Sequence, residues 1–170
     1  MNWLPPGPTP PDPAALAKFL ASAGVGMGDR VQLRWIGLDA PSTRAIFDLI
    51  RAGDKTGTFT LPWIVERTGL DPPARGQRLV LIDFDGRPVL SLRTVEVREV
   101  VFGEVTAADI AIDGSPVRDP AVWKPLHTDY WNALLRPFGL SVSDSMPFWA
   151  ERFELLYDAD AAPAGGAAGA

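Results

Sequence analysis

This 170-residue sequence contains no cysteine and only one histidine. Without cysteine the chain forms neither disulfides nor thiolate metal sites, which indicates a reducing compartment such as the cytoplasm. The lone histidine, His127, excludes a metal site built from several histidines. Any metal would have to bind aspartate and glutamate oxygens, and we predict no metal site and no cofactor.

The sequence also lacks any apolar run near the roughly 20 residues that a membrane-spanning helix needs. Its N-terminus has neither the basic region nor the unbroken apolar region of a secretory signal. The net charge of −5 argues against binding to duplex DNA, which depends on many contacts to phosphate groups. We therefore expect a cytoplasmic protein that contacts no membrane and does not bind duplex DNA.

The composition predicts one folded domain between two disordered ends. Apolar residues make up 46% of the sequence, which is enough for a core, and 170 residues is a common length for one domain. Residues 1–11 are rich in proline and residues 159–170 are mostly alanine and glycine, so neither end is expected to sustain regular structure. The domain is expected over residues 12–158.

Helices and strands are predicted in an irregular order. Apolar periodicity, capping residues and glycine stops predict helices at 13–23, 41–52, 63–67 and 120–135, with a short helix and loop at 102–112. Strands are predicted at 31–36, 55–61, 78–84, 88–101 and 148–157. Because βαβ alternation is missing, this order indicates an α+β fold, a small β-barrel of about five or six strands flanked by helices.

A Gly-x-Lys-Thr-x-Thr motif joins the second helix to the next strand, with Gly53, Lys55, Thr56 and Thr58 in its fixed positions. In a strand, Thr56, Thr58 and Thr60 share one face, and the long side chain of Lys55 can reach over it from the preceding turn. The chain has three lysines against thirteen arginines. A lysine in such a chain hints at a role that arginine cannot fill, such as loss of its proton.

The stretch AGDKTGTFTLPW at residues 52–63 resembles the signature of the ASCH family, the activating-signal-cointegrator homology domains. Further segments resemble the family in the same order: WIGLDAP at 35–41, the two strands and short helix at 75–106, the spacing from Val105 to His127, and DSMPFWAERFELLY at 144–157. The resemblance covers roughly residues 31–157. It implies a PUA-like β-barrel with a cleft at Lys55 that handles RNA or a nucleoside.

The resemblance also implies roles for particular residues. Some short bacterial members are amidohydrolases that remove the acetyl group from N4-acetylcytidine, using a lysine, a threonine three residues later and a later glutamate. Carried over, Lys55 is the proton acceptor, Thr58 the nucleophile and Asp113 the proton donor. The family usually shows Glu-Gly where this chain has Asp113-Gly114, and the shorter side chain is compatible with a different substrate.

Five residues are expected to bind the substrate: Gly53, Thr56, Trp63, Trp123 and His127. Unpaired bases stack on aromatic side chains, and Trp123 and His127 are four apart, so they share one helical face. Core packing is the alternative interpretation for both tryptophans. A packed or exposed position without a role in binding is the alternative for His127.

Three functions are consistent with these residues. The first is an amidohydrolase that acts on a modified nucleoside such as N4-acetylcytidine. The second is a noncatalytic module that binds RNA or a nucleotide in the same cleft. The third is a metal-dependent ribonuclease, which is also described in the family. In each case the partner is a nucleoside or a short single-stranded RNA.

Overall fold

The computed structural model of the chain describes residues 7–26, 28–115 and 117–161. The helices are α1 Pro13–Ser22, α2 Ala40–Arg51, α3 Pro62–Thr68 and α4 Pro120–Leu135, with 3-10 turns at Phe102–Glu104 and Arg136–Phe138. The strands are β1 Val31–Arg34, β2 Gly57–Thr60, β3 Arg78–Ile82, β4 Pro88–Val101 and β5 Pro147–Asp158. These elements confirm the predicted α+β class and its five strands.

The five strands form one sheet in the order β1-β3-β4-β5-β2. The β1 strand runs parallel to β3, and the other neighbours are antiparallel. The edge strands β1 and β2 approach each other through side chains, because Nη1 of Arg34 lies 3.2 Å from Oγ1 of Thr60. The sheet therefore curves until its two edges meet, as in a small barrel, with side chains in place of backbone hydrogen bonds across the gap.

Three apolar clusters cover the faces of the sheet. One lies between β5 and α4 and includes Trp123 and Phe148. Another packs α2 against β3 and β4 and includes Phe47. The third packs α1 against the opposite face of β3 and includes Phe19 and Val80. Because both faces are covered, polar side chains that the sheet carries inward lie in a surrounding of low polarity.

Local signals set the ends of α2, which leads into the predicted motif. At its start, Asp39 and Ser42 form a capping box, since each side chain accepts a hydrogen bond from the other's backbone amide. At its end, Gly53 adopts φ +71°, a left-handed conformation that favours glycine. The helix therefore stops just before Lys55.

Both terminal segments contact the domain where the structure describes them. The amide of Thr9 donates to the carbonyl of Phe84 at 3.1 Å. At the other end, Asp160 pairs with Arg51 at 2.9 Å and with Arg87 at 2.6 Å. Residues 1–6 and 162–170 lie outside the described residues, so the disorder predicted there stays a prediction. None of the helices in the described ranges is both long enough and apolar enough to cross a membrane.

Candidate functional site

A cleft of about 630 Å³ lies where the edges of the sheet meet α2 and α4. Four of the predicted site residues line it, and they come from different parts of the chain: Lys55, Thr58, Asp113 and His127. The fold therefore brings together the three residues to which the resemblance gave catalytic roles.

Lys55 is buried, with only 5% of its surface exposed. Its Nζ lies 2.5 Å from Oδ1 of Asp113. The amides of Asp54 and Lys55 both donate to the carbonyl of Leu49, at 2.9 and 3.0 Å, so the backbone turns sharply after α2. This turn places the amine in the cleft and leaves it in contact with a carboxylate.

Asp113 lies in a loop that is fixed from several sides. Its Oδ1 also accepts a hydrogen bond from the amide of Gly114 at 2.9 Å. The carbonyl of Ile112 accepts from the amide of Thr56 at 2.9 Å. Nε of Arg118 donates to the carbonyl of Asp113 at 2.6 Å. Although Asp is shorter than the usual Glu of the family, it reaches the lysine here because the loop is held against it.

Arg118 and Asp54 fasten this loop to the motif. Nη2 of Arg118 lies 2.6 Å from Oδ1 of Asp54. The other carboxylate oxygen of Asp54 accepts from the amide of Ser115 at 2.9 Å. Neither residue stands out in the sequence, because the two are 64 positions apart and each resembles an ordinary surface charge.

His127 stands beside Asp113, at 3.9 Å between Nε2 and Oδ2. Burial lowers the pKa of His127 to about 4, and the nearby carboxylate of Asp113 opposes this shift only in part. Its Nδ1 lies 3.0 Å from the carbonyl of Trp123, which can only accept, so Nδ1 carries the proton. The imidazole is therefore neutral at pH 7, with the lone pair of Nε2 facing the site.

The low pKa of His127 predicts a loss of stability in mild acid. The ordinary pKa of 6.5 applies to the unfolded chain and about 4 to the folded one, so between these values the unfolded state binds more protons. The stabilisation is complete above pH 6.5 and is lost as the pH falls toward 4, by about 2 kcal/mol at pH 5. Urea unfolding of the parent at pH 7.5 and 5 measures it.

The matched variant for this measurement is His127→Gln. It removes the only histidine of the sequence, so no other imidazole titrates in this range. The variant is expected to unfold with nearly equal free energies at both pH values. An equal loss in parent and variant would contradict the assignment to His127.

Thr58 lies on β2, and its register partner on β5 is Glu151. The hydroxyl of Thr58 has no hydrogen-bond partner among the described residues, so it is joined neither to Lys55 nor to Asp113. Both the hydroxyl and the amine line the cleft. A ligand bound in the cleft can therefore contact both groups.

The remaining predicted residues do not line the cleft. Gly53 is exposed in the turn after α2, and Thr56 bonds through its backbone to the neighbouring loop. Trp63 packs partly buried against the larger apolar cluster. Trp123 is fully buried and stacks under the ring of His127, with 4.0 Å between ring centroids. Their part in substrate binding stays a prediction.

A second polar group lies in the same region and was not predicted from the sequence. Glu151 is fully buried, and its Oε1 lies 2.8 Å from Nη1 of Arg34. Thr60 donates to the same carboxylate oxygen. The one signal in the sequence is the charged pair Glu151-Arg152 between apolar residues in the segment FWAERF of the closing strand. Within the described ranges, no three acidic or histidine side chains cluster so as to hold a metal ion.

Comparison with known proteins relates this architecture to one family. The family model described as the ASCH domain matches residues 34–157. The crystal structure of an ASCH domain from Lactobacillus crispatus JV V101 aligns with TM-score 0.75 and 18% identity, over 91% of this chain and 99% of that chain. The structure of protein EF3133 from Enterococcus faecalis V583 aligns with TM-score 0.70 and 21% identity, over 85% and 86%. The curated proteins gave no match.

Proposed function

This chain belongs to the ASCH domain family, and from this premise we propose that its cleft binds a modified nucleoside and hydrolyses an exocyclic amide such as that of N4-acetylcytidine. The observation that carries the proposal is the buried amine of Lys55, 2.5 Å from Asp113 in the cleft that Thr58 also lines. The family resemblance supplies the roles of these three residues. The geometry supplies an amine and a carboxyl group that can exchange a proton.

The first step is an attack by Thr58 on the amide. The ion pair of Lys55 and Asp113 holds one transferable proton, and when it lies on Asp113 the amine is neutral and can act as a base. The amine then takes the hydroxyl proton of Thr58 while Oγ1 bonds to the carbonyl carbon. The electron pair of the C=O π bond moves to oxygen, which forms a tetrahedral oxyanion.

The second step expels the nucleoside. As the C=O bond re-forms, the C–N bond breaks and the leaving nitrogen takes the proton from Asp113, which yields cytidine and an acetyl ester on Thr58. Water then hydrolyses this ester, with its proton accepted by the carboxylate and the threonine oxygen reprotonated by Lys55. The products are cytidine and acetic acid, and Lys55 and Asp113 return to their starting state.

The burial of the pair supports this chemistry. The side chains of Lys55 and Asp113 are 6% and 9% exposed, so water is largely excluded from the proton path. Electrostatic interactions strengthen in such a site, because little solvent is present to screen them. The neutral ring of His127 adds an acceptor nitrogen near Asp113 without adding charge.

Thr58 variants test the proposal directly. The parent is expected to convert N4-acetylcytidine into cytidine and acetate, as measured by chromatography. Thr58→Ser keeps a hydroxyl and is expected to retain activity within about tenfold, whereas Thr58→Val keeps the shape without the nucleophile and is expected to lose roughly 10²-fold or more in kcat. Equal rates in the valine and serine variants would exclude Thr58 as the nucleophile.

A noncatalytic binding module is the second candidate. It is favoured by the missing hydrogen bond between Thr58 and Lys55 in the described residues, since the cleft without a ligand holds no assembled nucleophile and base. In this case N4-acetylcytidine or a short single-stranded RNA binds without any product. The same chromatographic assay, combined with calorimetric binding, separates the two candidates.

A further inference from the structure

Arg34 lines the same cleft as Lys55, and three polar side chains hold it in place. Its Nη1 donates to Oε1 of Glu151 at 2.8 Å and to Oγ1 of Thr60 at 3.2 Å. Its Nε donates to Oε1 of Gln32 at 2.6 Å. Because the guanidinium group is planar, fixing two of its nitrogens also fixes the direction of the third.

The third nitrogen, Nη2, is the part of Arg34 that is available to a ligand. It has no hydrogen-bond partner among the described residues, and 16% of the side chain is exposed. A guanidinium nitrogen can donate hydrogen bonds and cannot accept them. A donor whose direction is fixed in advance binds an acceptor oxygen with little loss of side-chain entropy.

The charges of the cleft decide which acceptor fits. Arg34 and Lys55 are positive, and each is paired with a carboxylate, Glu151 or Asp113. Asp71 is the other acidic residue of the lining, and it pairs with Arg30 at 3.7 Å. The lining therefore carries two positive and two negative side chains, so the cleft has no positive excess that would attract a phosphate group.

The mouth of the cleft is apolar. Leu38, Leu70 and Leu126 line it and are 62%, 44% and 49% exposed. Exposed apolar patches at a concave surface mark sites where a ligand covers them. This rim suits an uncharged ligand better than the charged backbone of a nucleic acid.

We propose that Arg34, oriented by Glu151 and Thr60, is a specificity-determining residue that binds an uncharged carbonyl oxygen of the ligand. This inference rests on the proposed function, in which Lys55 and Thr58 meet the exocyclic amide. The carbonyl bound by Arg34 is then that of the pyrimidine ring. The subsite selects the free nucleoside over its phosphorylated forms.

Calorimetric binding tests this in a Thr58→Val background, which cannot form the acyl ester. The ligands are N4-acetylcytidine and its 5′-monophosphate. Adding Arg34→Met is expected to raise the Kd for N4-acetylcytidine about 10- to 100-fold, because a charge-assisted hydrogen bond is lost. The monophosphate is expected to bind more weakly than the nucleoside.

The matched control is Arg152→Met. Arg152 follows Glu151 in the sequence, is 52% exposed and pairs with Glu96 outside the cleft lining. It is expected to leave the Kd unchanged. Because Arg34→Met leaves Glu151 buried without its partner, the double variant Arg34→Met/Glu151→Gln removes both charges and serves if the single variant unfolds.

Each outcome of this experiment supports or overturns the subsite. Parent-like binding by a folded Arg34 variant overturns it, as does equal or tighter binding of the monophosphate or an absence of binding by N4-acetylcytidine. Failure of the proposed hydrolysis has a different signature, in which N4-acetylcytidine binds to the parent in an Arg34-dependent way and no cytidine is released.

Discussion

Lys55→Met is expected to lower kcat/KM for N4-acetylcytidine by about 10³-fold or more. Methionine has a similar length and apolar stem, so the change removes the amine and little volume. Without the amine, no base accepts the proton of Thr58, and the loss is at the upper end of what one acid–base group contributes. Steady-state kinetics with purified parent and variant measure it.

A second lysine provides the control for this variant. Lys18 is exposed on α1 and makes no contact with the cleft lining, so Lys18→Met is expected to leave kcat/KM unchanged. The far-ultraviolet circular dichroism of each variant is compared at the assay temperature, which separates loss of chemistry from loss of fold. Full activity of a folded Lys55→Met protein would refute the role of the amine.

Much of the fold could be predicted because local signals determine it. The β4 strand and α4 have the predicted bounds, Pro88–Val101 and Pro120–Leu135. A turn sequence precedes the strand, and Asp119 caps the helix by accepting from the amide of Ala121. Such signals act within a few residues, so they can be read from the sequence alone.

The predicted ends of a strand are wrong where contacts between distant segments determine them. The β2 strand was expected from Lys55 to Leu61 and instead covers Gly57–Thr60. The amide of Thr56 bonds to the carbonyl of Ile112, in the loop that carries the site carboxylate, and only its carbonyl still bonds to β5, where it accepts from the amide of Phe153 at 2.8 Å. No local pattern in the motif signals a partner 56 residues away.

One contact of the site was predicted and another was not. The proximity of Lys55 and Asp113, which are 58 positions apart, was implied by the family resemblance, and spacing alone could not have given it. The pair of Arg34 and Glu151, 117 positions apart, was missed because each residue is compatible with an ordinary strand. Their contact depends on the two edges of the sheet meeting, which is a property of the whole topology.

Breaking the buried ion pair with one replacement is expected to lower the free energy of unfolding by about 3–5 kcal/mol. Lys55→Met leaves the carboxylate of Asp113 without its partner, and Asp113→Asn leaves the amine of Lys55 without its partner. The side chain of Asp113 is 9% exposed and that of Lys55 is 6% exposed. An unpaired charge in such a position keeps its desolvation penalty and loses the compensating attraction. Urea unfolding at pH 7.5 measures both variants.

The double variant Lys55→Met/Asp113→Asn completes the cycle, and it is expected to be more stable than either single variant because no charge remains buried. A surface pair gives the matched control: Arg93 and Glu154 join neighbouring strands at 50% and 43% exposure, where a coupling below about 1 kcal/mol is expected. A coupling between Lys55 and Asp113 no larger than that would contradict their burial as a pair. The double variant is expected to be folded and inactive, because it lacks the amine. This result would show that the loss of activity comes from the missing amine and not from unfolding of the domain.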